Sequence, residues 1–181
     1  VSGETNDLTI DTNNGDLTFL SEVGAAQNLD EVTITNSGSL TITAAFSITG
    51  NLTSTGSGHV LGVADVTTTS DTVRVTADGD IGFTHLQPTG SSSLITLTST
   101  AGNIFDADRL DVSDDADLIA VNVALRAAEG IGDDGVVFDP ALSADEAGLP
   151  TAAQPLIQAS AIDTEMSIVA ARNSASGDIQ I

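Results

Sequence analysis

The 181-residue chain sets 26 acidic side chains against 4 arginines, with no lysine and no cysteine, for a formal net charge of −22. This excludes disulfides, thiol catalysis and cysteine-held zinc, and it leaves no basic footprint to neutralise nucleic-acid phosphates. The apolar share is 40% but the only aromatics are five Phe, so the core has to be built from Val, Ile, Leu and Ala, a mix that favours β-structure.

Residues 1–7 show neither a basic start nor an apolar stretch of the signal-peptide kind, and they read as part of a strand-and-turn pattern. From there one unit recurs: an apolar-x-apolar strand, a short polar turn, then Gly-x-apolar-x-apolar. The first copy is Leu8-Thr9-Ile10 leading to Gly15-Asp16-Leu17-Thr18-Phe19, and the second is Val32-Thr33-Ile34 leading to Gly38-Ser39-Leu40-Thr41-Ile42. Next come Val73-Arg74-Val75 with Gly79-Asp80-Ile81-Gly82-Phe83, and Ile95-Thr96-Leu97 with Gly102-Asn103-Ile104. Weaker versions follow at Val123-Ala124-Leu125 with Gly130-Ile131, and at Ile168-Val169 with Gly177-Asp178-Ile179. Alternation turns one face of each short strand inward and its Thr or Asp face outward. The turn Gly provides a positive φ or a tight corner.

The spacing of the unit selects the architecture. Gly15 to Gly38 is 23 residues, Gly38 to Gly79 is 41, Gly79 to Gly102 is 23, Gly102 to Gly130 is 28 and Gly130 to Gly177 is 47. Taken as one, two, one, one and two coils, these gaps imply a solenoid with a period of about 23 residues. The expected fold is all-β, a right-handed parallel β-helix of about seven to eight coils. A stack of β-sandwiches shares the turn spacing but usually plants a core Trp or Tyr and lacks a unit returning at one phase. In the β-helix, Leu17, Leu40, Ile81 and Ile104 form one inward column, and Phe19, Ile42 and Phe83 a second.

Regularity holds over residues 1–130. Residues 131–166 are expected to form an irregular, loop-rich insertion, because Gly and Asp cluster from Gly130 to Gly135 and Pro140, Pro150 and Pro155 follow. Within it, 139–156 reads as a lateral excursion with a helical turn at 143–147 that Ser143 would cap. Residues 167–181 return to the solenoid, with a strand resuming near Met166. The whole is expected to be a single solenoid segment, 1–181, of a longer chain, since it stops inside a strand pattern.

Two stretches resemble the repeats of filamentous-haemagglutinin-type large bacterial exoproteins. One is the run from Leu94 through Thr98 to Ala101-Gly102-Asn103-Ile104. The other is Val123-Ala124-Leu125-Arg126-Ala127-Ala128-Glu129-Gly130-Ile131-Gly132, followed by a variable stretch and Ser176-Gly177-Asp178-Ile179. The resemblance implies a right-handed β-helix in a giant secreted or cell-surface adhesin of a Gram-negative bacterium. The acidity and the missing lysine depart from that family and leave the binding partner open.

Candidate chemistry is sparse. A pectinase-like site needs clustered Asp with a His and a basic clamp, and Asp114, Asp115 and His59 offer only fragments of it. His59 and His85 read as surface-turn residues, and no Gly-x-Ser-x-Gly nucleophile or Lys-bearing phosphate loop occurs. No enzymatic activity is expected. For metal, the candidates are Asp106, Asp108, Asp111, Asp114, Asp115 and Asp117, with Asp133 and Asp134 as a second group; carboxylates of this density suit Ca²⁺, which takes six to eight oxygens. They lack the EF-hand and β-roll loop patterns, so the alternative is a solvated, cation-screened face. No other cofactor is expected. The functional expectation is a structural stalk segment at the bacterial cell surface. Its partners would be a glycan or protein of another cell and the rest of its own chain, with no nucleic acid and no membrane insertion. The alternatives are a recognition module or, remotely, a pectinase-like hydrolase.

Overall fold

The computed structural model describes residues 6–24, 29–107, 116–132, 162, 164–175, 179 and 181. The chain enters through β1 (Leu8–Asp11) and β2 (Leu17–Phe19). A full turn follows as β3 (Val32–Ser37), β4 (Leu40–Ile42) and β5 (Phe46–Ile48). It repeats as β6 (Leu52–Gly56), β7 (Val60–Gly62) and β8 (Val66–Thr68), and again as β9 (Thr72–Ala77), β10 (Ile81–Phe83) and β11 (Leu86–Pro88). The fourth full turn is β12 (Leu94–Ser99), β13 (Ile104–Asp106) and the start of β14 (Leu118–Ala127). β15 (Thr164–Asn173) then lies along β14. No helix occurs among the described residues.

All of the strand pairing is parallel, and it links each strand to its counterpart one turn away. Three faces result. The first carries β1, β3, β6, β9 and β12, continued by the C-terminal parts of β14 and β15; the second carries β2, β4, β7, β10 and β13. The third carries β5, β8 and β11 and reaches β14 at Leu118. β14 therefore serves two faces without a turn between them. Between its pairing with β11 and with β12, the Val121 amide donates to the buried Ser93 hydroxyl at 2.9 Å, which satisfies a group the ladder leaves over.

The inward positions stack in register. On the second face Leu17, Leu40, Val60, Ile81 and Ile104 are successive partners, and Phe19, Ile42, Gly62, Phe83 and Asp106 form the neighbouring column. Leu40, Val60, Ile81, Ile104, Ile42 and Phe83 are all buried. Both expected columns are thus present, and the members not foreseen are Val60, Gly62 and Asp106. Gly62 is small for a reason: a Cβ there would lie 2.5 Å from Phe83 Cδ1, so the ring fills the space that the glycine leaves.

Among the described residues four turns carry a strand on all three faces, so the seven to eight coils expected from glycine spacing are more than the structure shows. The 47-residue gap from Gly130 to Gly177 is the clearest overcount. Val123 pairs directly with Val169, and Ile131 bridges directly to Ile179, so the gap is one turn and not two. The 41-residue gap from Gly38 to Gly79 is indeed two turns, with Gly58-His59-Val60 as the intervening copy.

The repeat glycines also act differently from one of the two options offered for them. None of Gly15, Gly38, Gly58, Gly79 and Gly102 has a positive φ; a Cβ at Gly58 would overlap the Gly38 carbonyl, so crowding between turns excludes a side chain. The left-handed conformation near these corners falls on Asn13, Asn14 and Asn36, residues that tolerate it. Most of the insertion at 131–166, including the helical turn at 143–147, lies outside the described residues. The strand expected near Met166 is β15, ten residues long.

Candidate functional site

The corner between the first and second faces places one polar residue per turn in a line: Asp16, Ser39, His59, Asp80 and Asn103. Each precedes the inward residue of its second-face strand, where the chain is still turning and the next turn's amide lacks a ladder carbonyl. Side chains supply the acceptor instead. Asp16 Oδ1 accepts the Ser39 amide at 2.7 Å, and Ser39 Oγ accepts the His59 amide at 3.4 Å. His59 Nδ1 accepts the Asp80 amide at 3.0 Å, and Asp80 Oδ1 accepts the Asn103 amide at 2.8 Å. Asn103 Nδ2 also donates to Asp80 Oδ1 and to Glu129 Oε2, each at 3.3 Å. This line binds each turn to the next outside the core.

Within it, His59 Nδ1 lies 3.2 Å from Asp80 Oδ2 as well. One nitrogen cannot accept the Asp80 amide proton and donate a proton to the Asp80 carboxylate. The amide proton is fixed to the backbone and points at Nδ1, and the neighbouring rungs repeat the same acceptor role. Nδ1 is therefore the acceptor, and the ring proton belongs on Nε2.

Beside this line, the outward positions of the second face are Thr18, Thr41, Leu61, Gly82 and Phe105. A Cβ on Gly82 would lie 2.6 Å from Phe105 Cζ, so the Phe105 ring lies across the glycine and is only 8% exposed. Leu61, Phe105 and the rim formed by Ser39, His59 and Asp80 enclose a cavity of about 60 Å³. That is room for one side chain or a few waters, well below the 300–1,000 Å³ typical of small-molecule pockets. Sequence reasoning placed His59 on a surface turn, which is where it sits, but missed the groove. The available signal was the outward position three residues after each Gly, where Thr18 and Thr41 give way to Leu61, Gly82 and Phe105.

The metal candidates divide. Asp106 stacks inward on Phe83 and is 4% exposed, and Asp117, just before β14, is 6% exposed; neither is without a partner. Asp108, Asp111, Asp114, Asp115, Asp133 and Asp134 lie outside the described residues. Among the described residues, no group of three or more His, Asp or Glu is placed to hold a metal ion. His85 sits at the corner between β10 and β11, its carbonyl accepting the Val66 amide at 3.0 Å. No helix of the described residues is long and apolar enough to cross a membrane.

No family model matches the chain, and no match emerges among curated proteins or solved structures.

Proposed function

We propose that this chain is a structural stalk segment of a large secreted or cell-surface bacterial adhesin, with the solenoid wound right-handed as parallel crossovers almost always are. The observation that carries the reading is the stack itself. Each turn packs only on the turns before and after it and adds about 4.8 Å of length, so the fold extends without needing a new core. The corner side chains are committed to holding successive turns together, a use suited to a spacer. The high negative charge suits a solvated exterior surface and screens against nucleic acid. Antibodies raised against the chain should label intact, unpermeabilised cells of the organism that carries it. Antigen detected only after lysis would overturn this assignment. A second reading, that the segment itself recognises a partner, is favoured by the Leu61–Phe105 groove beside Asp80.

A further inference from the structure

We infer that the groove over Leu61 and Phe105 takes the side chain of a lysine presented by a basic partner protein. This deepens the recognition reading and rests on it, whereas the stalk role stands separately. Four observations converge. The cavity of about 60 Å³ admits a single side chain and not a sugar ring. Its floor is apolar, Leu61 and the edge of Phe105, matching the methylene stem of a long cationic residue. At its rim stands Asp80, whose Oδ1 accepts two N–H groups of Asn103 while Oδ2 lies 3.2 Å from His59 Nδ1. An incoming ammonium would be drawn to that carboxylate. Finally, the chain carries a net charge of −22 and no lysine of its own, so its long-range field draws basic partners.

The same geometry discriminates among cations. A guanidinium binds best as a fork across both oxygens of a carboxylate, and Asp80 Oδ1 already accepts two N–H groups of Asn103. An ammonium is a compact point charge that one oxygen serves. Ca²⁺ needs six to eight oxygens, far more than the rim offers.

The test is an amide-resolved NMR titration of the 181-residue chain at constant ionic strength. The probes are N-acetyl-lysine methylamide, its neutral norleucine counterpart and the arginine counterpart. The lysine probe is expected to give saturable shifts centred on Leu61, Asp80, Gly82 and Phe105, with norleucine about tenfold weaker, as the loss of a charge-assisted hydrogen bond implies. Asp80→Asn keeps an oxygen for the Asn103 amide and removes one charge of a net 22, so diffuse attraction barely changes. In that variant the preference for lysine over norleucine should vanish. Unsaturable shifts spread over the acidic surface, equal binding of norleucine or arginine, or a lysine preference that survives Asp80→Asn would each overturn the proposal. Surface labelling of cells is insensitive to this substitution, so failure here leaves the stalk reading intact.

Discussion

The turns running from β3 to β11 and the turns that follow them bury the same columns with very different lengths of chain. In the earlier region the corner between the second and third faces takes residues 43–45, 63–65 and 84–85. In the later one residues 107–117 separate β13 from β14 along the chain, and 46 residues separate Val123 from its partner Val169, against 21 between Leu52 and Val73. The stack does not shift: Ile81 pairs with Ile104, which bridges Ile131, and Leu97 pairs with Leu125. Register is therefore set by the inward residues and the parallel ladder. Corner length hardly enters, because closing a longer loop costs entropy only logarithmically.

The largest expected effect attacks the shared feature. Ile81 is fully buried in the column common to both regions, and Ile81→Ala should cost roughly 2–5 kcal/mol in chemical denaturation, the range for truncated core aliphatics. A loss below about 1 kcal/mol would show that the columns do not hold the turns in place.

A second experiment turns the regular region into a copy of the irregular one. Ten Gly/Ser residues inserted after Ala44, in the 43–45 corner, should leave the fold intact and lower stability by only about 1 kcal/mol, two doublings of loop length. A cost matching that of Ile81→Ala would mean that short corners, and not columns, determine register.

A third sharpens the account of the core. Ser54 interrupts the column between Ile34 and Val75, and its buried hydroxyl has no hydrogen-bond partner. An unsatisfied buried hydroxyl costs about 1–3 kcal/mol, so Ser54→Ala should stabilise the chain by about 1 kcal/mol once the lost contacts are counted. A destabilised variant would show that the hydroxyl is bonded after all.

The smallest effect concerns charge, which is densest in the later region. Raising NaCl should increase the melting temperature by a few degrees as screening shortens to about 3 Å at 1 M. CaCl₂ at matched ionic strength should add little more. A large additional gain at millimolar Ca²⁺ would reveal a specific site among the aspartates from Asp106 to Asp134.

What the residues determined unaided was phase. Side chains alternate every two residues along a strand, so Leu17, Leu40, Ile81 and Ile104 could be assigned inward positions from local pattern alone, and the all-β parallel stack followed from their recurrence. Tertiary structure decided how many turns a gap contains, because the length of a corner leaves no mark on the alternation within a strand. It also turned Asp106 inward, where an acidic run suggested a surface ligand: the residue extends β13 by the position that follows Phe83 in the stack. The groove likewise arose only from stacking. Leu61, Gly82 and Phe105 are more than twenty residues apart from one to the next, and only the vertical pairing of turns makes them neighbours.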